Sequence, residues 1–302
     1  MTRKRTALRW LTLSAALFSP LALADNARDW QALPTDLDMF FAYYSNINAS
    51  TAVNTALPFD GVNTDADLFI LRYAHSFAID GRLSAIQIIQ PYANVSASLN
   101  DAEWLTGSKG ASNLGDTQIV FVHNLTGGPA LSKEEFRQWT PEPFITAAFW
   151  VTVPTGSYDK NKNINTGANR WAFRPELASG YPLGPFWFEL NTWATFYTDN
   201  NDYHGDQTLS QRPQYAAEGH ISYTFSPALW VSADGTWAGG GETTVNSDVQ
   251  NNQQQSTSLG TSLGFMLTPH FGGMVSWSRT VDHRAYTTPD VDNWTFRVQY
   301  AW

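Results

Sequence analysis

Apolar and polar residues alternate with a period of two along most of this chain, as in strands with one face toward an apolar medium and the other toward water. The final stretch shows it most clearly: Trp294, Phe296, Val298, Tyr300 and Trp302 alternate with Thr295, Arg297, Gln299 and Ala301. Near 211–225, Tyr215, Ala217, Gly219, Ile221, Tyr223 and Phe225 alternate with Ala216, Glu218, His220, Ser222 and Thr224. The pattern predicts twelve strands, at about 35–47, 66–77, 82–95, 114–124, 142–153, 169–181, 185–198, 211–225, 228–237, 258–267, 271–281 and the C-terminal stretch. In the first, Leu37, Met39, Phe41 and Tyr43 share a face; the second and third are apolar on both faces, so alternation alone leaves them unoriented.

The connections alternate too. Long polar links at 48–65, 96–113, 155–168 and 239–257 follow odd-numbered strands, whereas Ile79-Asp80-Gly81, Pro182-Leu183-Gly184, Ser226-Pro227 and Thr268-Pro269-His270 make tight turns after even-numbered ones. A soluble sandwich would not produce this alternation. It predicts an all-β protein, a transmembrane antiparallel up-and-down β-barrel of about 12 strands, with long extracellular loops and short periplasmic turns. The link at 125–141 departs from the rule, and Lys133-Glu134-Glu135-Phe136-Arg137 predicts a helical turn within it.

Composition agrees with a membrane barrel. Charged residues are 15% of the chain, against roughly 25% in soluble domains. Aromatics reach 14%, and beyond the N-terminus no apolar run is long enough for a spanning helix. Arg3, Lys4, Arg5 and Arg9, the apolar run 10–23 and Ala22-Leu23-Ala24 form a signal peptide, 1–24, with expected cleavage after Ala24. Without cysteine there is no lipoprotein anchor. Residues 25–34 are expected as a periplasmic N-terminal segment, with tucking into the lumen as the alternative, and 35–302 as the barrel. The expected location is the outer membrane of a Gram-negative bacterium. The leader holds four of the 18 basic residues and none of the 27 acidic ones, so the mature chain is more acidic than the overall −9, which argues against a nucleic-acid partner.

The terminal stretch resembles the closing strand of bacterial outer-membrane barrels, although it ends in Trp302 rather than the usual Phe. The resemblance implies that Trp294, Phe296, Val298, Tyr300 and Trp302 form an assembly signal, with the barrel-assembly machinery and outer-membrane lipid as partners. Three further stretches, Asn113-Leu114-Gly115-Asp116, Val153-Pro154-Thr155-Gly156-Ser157-Tyr158 and Asn165-Thr166-Gly167-Ala168-Asn169-Arg170-Trp171, resemble the outer-membrane family named for the meta-cleavage pathway of phenol degradation. That resemblance covers most of the mature chain and implies transport, often of hydrophobic or aromatic compounds; it brings no set of functional residues. Gly115 and Gly156 are expected to serve bends and positive φ.

No enzyme motif is present: there is no Gly-x-Ser-x-Gly elbow and no His-Glu-x-x-His helix. His, Asp and Glu lack metal-ligand spacing, the loop 199–202 reads as solvated rather than as a Ca²⁺ site, and no cofactor is expected. His220 and Ser222 share a face, read as a solvated lumen pair rather than a dyad. Charges avoid lipid, which makes Asp116, Arg170, Arg174, Glu176, Glu189, Glu218, His220, Asp234 and Arg297 candidate lumen-lining residues, with Trp193 beside them. Arg174, Glu189 and Glu218 would either brace the wall or line a path for solutes. Trp187, Trp193 and Tyr197 would stack on planar solutes or fill space. The expected function is a passive outer-membrane channel or uptake protein for small molecules, hydrophobic or aromatic. A lipid-acting outer-membrane enzyme and a structural or adhesive barrel working through its loops are the alternatives.

Overall fold

The computed structural model describes residues 25–52, 61–100 and 109–302. The expected signal peptide lies outside the described residues, as do the middles of the first two long links. The strands are β1 (Asp38–Ala52), β2 (Gly61–Ile79), β3 (Arg82–Asn100), β4 (Lys109–Leu114), β5 (Thr117–Thr126), β6 (Phe144–Val153), β7 (Ala172–Leu183), β8 (Phe186–Tyr197), β9 (Asn200–Tyr203), β10 (Gln207–Gln211), β11 (Gln214–Ser226), β12 (Leu229–Gly240), β13 (Thr243–Val245), β14 (Asp248–Val249), β15 (Gln254–Met266), β16 (Phe271–His283) and β17 (Asp290–Ala301). One short helix, α1 (Lys133–Phe136), lies in the link after β5.

Neighbouring strands pair antiparallel, and β17 returns to pair with β1 from Met39↔Ala301 to Ser50↔Asp290. β4 and β5 both pair with β3 and occupy one position in the wall, so the barrel is closed with twelve strands. Return of β17 to β1 closes the wall on itself, the condition for crossing a bilayer with strands. Tight turns follow from backbone chemistry. Asp80 and Gly81 both have positive φ, 49° and 72°, the two-residue hairpin turn whose twist matches the strands.

The predicted fourth strand is broken at Gly115-Asp116. Pairing of β3 with β5 stops at Ile89↔Gln118 and resumes with β4 at Tyr92↔Leu114. Pro91 is the cause. Its carbonyl accepts from the Gly115 N–H at 2.9 Å, so the N–H it lacks would have pointed to the same neighbour. The Gln90 amide fills the gap, donating to the Pro91 and Gly115 carbonyls at 3.0 Å and accepting from the Thr117 hydroxyl at 2.7 Å.

The links at 48–65, 96–113 and 239–257 are not loops throughout. β1 and β2 pair out to Ala52↔Gly61, and β3 meets β4 from Lys109. β9, β10, β13 and β14 form a separate four-stranded sheet that joins two long links beyond the barrel and buries Tyr203 and Leu209. Polar composition hid these strands because no face of theirs meets lipid, so nothing imposes an alternating apolar row.

Residues 25–34, expected outside the barrel, lie inside it. Trp30 is buried among Ile70, Ile89, Val120, Phe144, Ala148 and Trp150, edge-on to Trp150 at 6.4 Å between centroids. The 125–141 link secures the segment at the turn side. The Thr35 N–H and hydroxyl donate to the Leu131 carbonyl at 2.8 and 3.1 Å, and the Ser76 hydroxyl donates to that of Pro34 at 2.8 Å. The same link is joined to the β2–β3 hairpin by the Ala130 N–H on Gly81 and the Leu83 N–H on Gly128, both at 3.0 Å. Its helix, α1, starts with Ser132 and Glu135 capping each other, and those bonds hold the Glu135 carboxyl below the usual range.

Candidate functional site: the barrel interior

The interior has two unlike walls. Inward positions of β1, β2, β3, β5 and β6 carry buried Ile47, Ala66, Leu68, Ile70, Ile89, Ala93, Val95, Val120, Ala148 and Trp150. The opposite wall, from β11 to β17, presents hydroxyls: Ser222, Ser232, Ser262, Thr280 and Thr295 are all under 10% exposed. A cavity of about 140 Å³ separates them, with Ile47, Ile70, Ile89 and Trp150 on one side and Thr236, Ser258, Ser262, Ser276 and Thr295 on the other. Asp25, Asn26 and Asp29 also line it.

Ion pairs fix the N-terminal segment. Asp29 lies 2.6 Å from Arg297 Nη1 and 3.5 Å from Arg72 Nη1. Burial alone would raise the Asp29 carboxyl; Arg297 and then Arg72 overcome it and hold the group below the usual carboxylate range. Both guanidiniums stack on the Phe41 ring, at 5.1 Å for Arg72 and 5.7 Å for Arg297. The Arg28 N–H donates to Glu189 at 3.0 Å, while its guanidinium bonds the Ser222 and Thr224 hydroxyls at 3.0 and 2.6 Å and lies over Trp230. Arg174 Nη2 reaches Glu176 at 2.6 Å and Asp25 at 3.2 Å, sandwiched between Trp150 and Trp193.

At the other end the loop 155–171 folds over the apolar wall, and Ile164 packs among Ile47, Ala66, Leu68, Ala93, Val95 and Val291. Asp116, in the β4–β5 break, anchors that loop by accepting the Gly156 and Ala168 N–H groups at 2.8 Å each. The Leu114 carbonyl accepts from the Ser157 N–H at 3.0 Å and the Thr166 hydroxyl at 2.8 Å. The three stretches singled out in the sequence therefore meet in one knot.

A family profile described as "Putative MetA-pathway of phenol degradation" matches residues 46–298. The chain belongs to this family. No curated protein matches it. The fold is similar to an outer-membrane channel from Pseudomonas putida F1, at 21% identity and a TM-score of 0.80, covering 92% of this chain and 100% of that one. Likeness is weaker to the translocator domain of the autotransporter NalP from Neisseria meningitidis (10% identity, TM-score 0.50, 99% and 95% covered) and to the β domain of the Bordetella autotransporter BrkA (8%, 0.51, 88% and 99%). These matches are to the fold, that of outer-membrane barrels.

In this family member the knot glycines serve close approach rather than positive φ. Gly115 and Gly156 are both absent from the positive-φ positions. A Cβ on Gly156 would stand 2.7 Å from Gly167 Cα and 2.8 Å from the Asp116 nitrogen. Gly156→Ala should therefore cost about 1–3 kcal/mol, as overpacking does, and loosen the loop. Limited proteolysis should cut the variant within 155–171 faster than the parent; equal cleavage would contradict the close-approach reading.

Of the candidate lumen residues, Arg174, Glu176, Glu189, Trp193, Glu218, His220 and Arg297 are inward and buried, and Asp234 is inward and lines the cavity. Arg170 sits ahead of β7, bonded to Gln211 and stacked on Tyr197 at 4.5 Å. Asp116 is not a lumen residue; backbone N–H groups consume its carboxylate. The supposed Arg174, Glu189 and Glu218 brace is also replaced, because the N-terminal segment takes Arg174 and Glu189. Trp193 lies under Arg174 rather than presenting a free face. His220 Nδ1 is 2.7 Å from Asp234, whose other oxygen accepts from Ser262 at 2.8 Å, and Ser222 is bound to Arg28, so the His220 and Ser222 side chains are spoken for separately.

Sequence reasoning did not single out Arg72, Phe41 or Trp150 as interior residues, and it kept entry of the N-terminal segment into the lumen only as an alternative. Arg72 was the available signal: it is the only Asp, Glu, Lys or Arg between Leu68 and Ile79, a charge there has to face inward, and that would have oriented the strand and exposed its apolar inner row.

Proposed function

We propose that this protein is an outer-membrane channel for the uptake of small hydrophobic compounds, exported by a leader cleaved after Ala24 and assembled through its terminal strand. The apolar inner wall carries this reading. An interior that only conducts water and ions is polar, whereas Leu68, Ile70, Ile89 and Val95 extend apolar surface from the Ile164 cap toward Trp30. A solute on this wall exchanges water for apolar contact, and the facing hydroxyls accommodate a polar substituent. Transport on this reading is passive diffusion along the wall, and the separate engagement of His220 and Ser222 disfavours a lipid-acting enzyme.

Uptake by cells with and without the protein tests this, with a radiolabelled monocyclic aromatic compared to a pentose of similar size. The expected result is a severalfold faster entry of the aromatic and little change for the sugar. Leu68→Asn with Ile70→Asn should abolish most of that gain. Equal acceleration of both solutes would reduce the protein to a general pore.

A further inference from the structure

Negative charge exceeds positive charge where the N-terminal segment meets β7 and β11. Asp29 lies between Arg72 and Arg297 and Glu189 accepts from Arg28, whereas the ion pairs that Asp25, Glu176, Glu218 and Asp234 make among the described residues are with Arg174 and His220. Asp25 and Glu176 converge on one nitrogen, Arg174 Nη2. Glu176 Oε1 and Glu218 Oε2 are buried with no hydrogen-bond partner among the described residues, in side chains belonging to residues only 3% and 4% exposed. The cation nearest Glu218 Oε2 among the ion pairs is His220 Nε2 at 3.7 Å, beyond hydrogen-bonding reach. Burial first, and Glu176 second, push the Asp25 carboxyl well above the usual range, in keeping with a shortage of positive charge. Buried carboxylates are stable only when paired and hydrogen-bonded.

We propose that the missing counter-ion is the α-ammonium of Asp25, created inside this cluster's reach by removal of the leader, and that it pairs with the Glu176 and Glu218 carboxylates. Water adds across the Ala24–Asp25 peptide bond; the carboxyl leaves with the leader, and the amine on Asp25 takes up a proton. A backbone amide at that position offers one donor and no charge, whereas the ammonium offers three donors and a full charge. Leader removal thus does more than release the chain. It makes the group that completes the seat of the N-terminal segment. The inference rests on cleavage after Ala24 and is independent of which solute is carried.

The test uses protein purified from outer membranes. Intact mass first establishes whether the chain begins at Asp25; any other start overturns the inference. Acetic anhydride then labels the α-amine, with the exposed Lys133 as internal reference. In the folded barrel the α-amine should react at least about tenfold more slowly than after unfolding in guanidinium, and its labelling midpoint should lie above the ordinary α-amine value of about 7.7–8.0. Glu176→Gln with Glu218→Gln should raise the folded rate about tenfold, one pKa unit's worth of free amine, and leave Lys133 unchanged. If that variant does not fold, the wild-type midpoint decides. Equal rates in folded and unfolded protein, or an unshifted midpoint, would overturn the pairing.

Discussion

Asp29→Ala is expected to open the lumen. Asp29 is the carboxylate that both Arg72 and Arg297 face, at 3.5 and 2.6 Å, and all three groups are about nine-tenths buried. Removing one partner of a buried ion pair costs about 3–5 kcal/mol, because the remaining charge stays desolvated. Two guanidiniums left together would repel as well. About 1.4 kcal/mol is a tenfold change in an equilibrium, so the seated population of the N-terminal segment falls by orders of magnitude while the wall strands keep their pairing. Single-channel recordings in planar bilayers should show conductance rising severalfold over the parent, with Asp29→Asn intermediate and deletion of residues 26–33 highest. Acid should act the same way. The Asp29 carboxyl is depressed in the folded protein, so its contribution is complete above the ordinary aspartate value of 3.8 and is lost only as pH falls below that value through the folded one. Conductance of Asp29→Ala equal to the parent would mean that Asp25, Arg28, Trp30 and Thr35 hold the segment without Asp29.

Removal of residues 300–302 is expected to abolish accumulation of the folded barrel. These residues carry the last pairs of the closing seam, Phe40↔Tyr300 and Met39↔Ala301, followed by the mutual Asp38–Trp302 backbone bonds at 3.0 and 3.2 Å. Tyr300 and Trp302 are outward, 49% and 46% exposed, so they belong to the lipid-facing row with Trp294, Phe296 and Val298. Truncation would open two backbone edges at one end of the seam, in a medium that offers no replacement hydrogen bonds. It would also remove the aromatic end of the proposed assembly signal. Heat-modifiable, folded protein in the outer membrane should fall to a small fraction of the parent level. Normal levels would place closure and recognition elsewhere in β17.

The lipid-facing half of the fold was legible because lipid imposes a strict rule on alternate residues. Tyr215, Ile221, Tyr223 and Phe225 outside, with Glu218, His220 and Ser222 inside, follow from period two alone. Strand β2 was not legible by that rule, since its inner row of Leu68 and Ile70 is as apolar as its outer row of Phe69 and Leu71. The exception is informative: a barrel that carries polar solutes has no need of an apolar inner row.

The chain's pattern by itself determined the barrel, its twelve strands, its long and short connections and the inward phase of Arg174, Glu176, Glu189, Glu218 and Arg297. These depend on each strand's own alternation and on local turn chemistry such as Asp80-Gly81. Only the tertiary structure decided who pairs with whom. Asp29 reaches Arg297 across 268 positions and Arg28 reaches Ser222 across 194; no period or spacing encodes such contacts. Residues 25–34 are short and polar, compatible with a free tail, and they enter the barrel because the ring of strands places two arginines, an apolar pocket for Trp30 and the Leu131 hook within their reach.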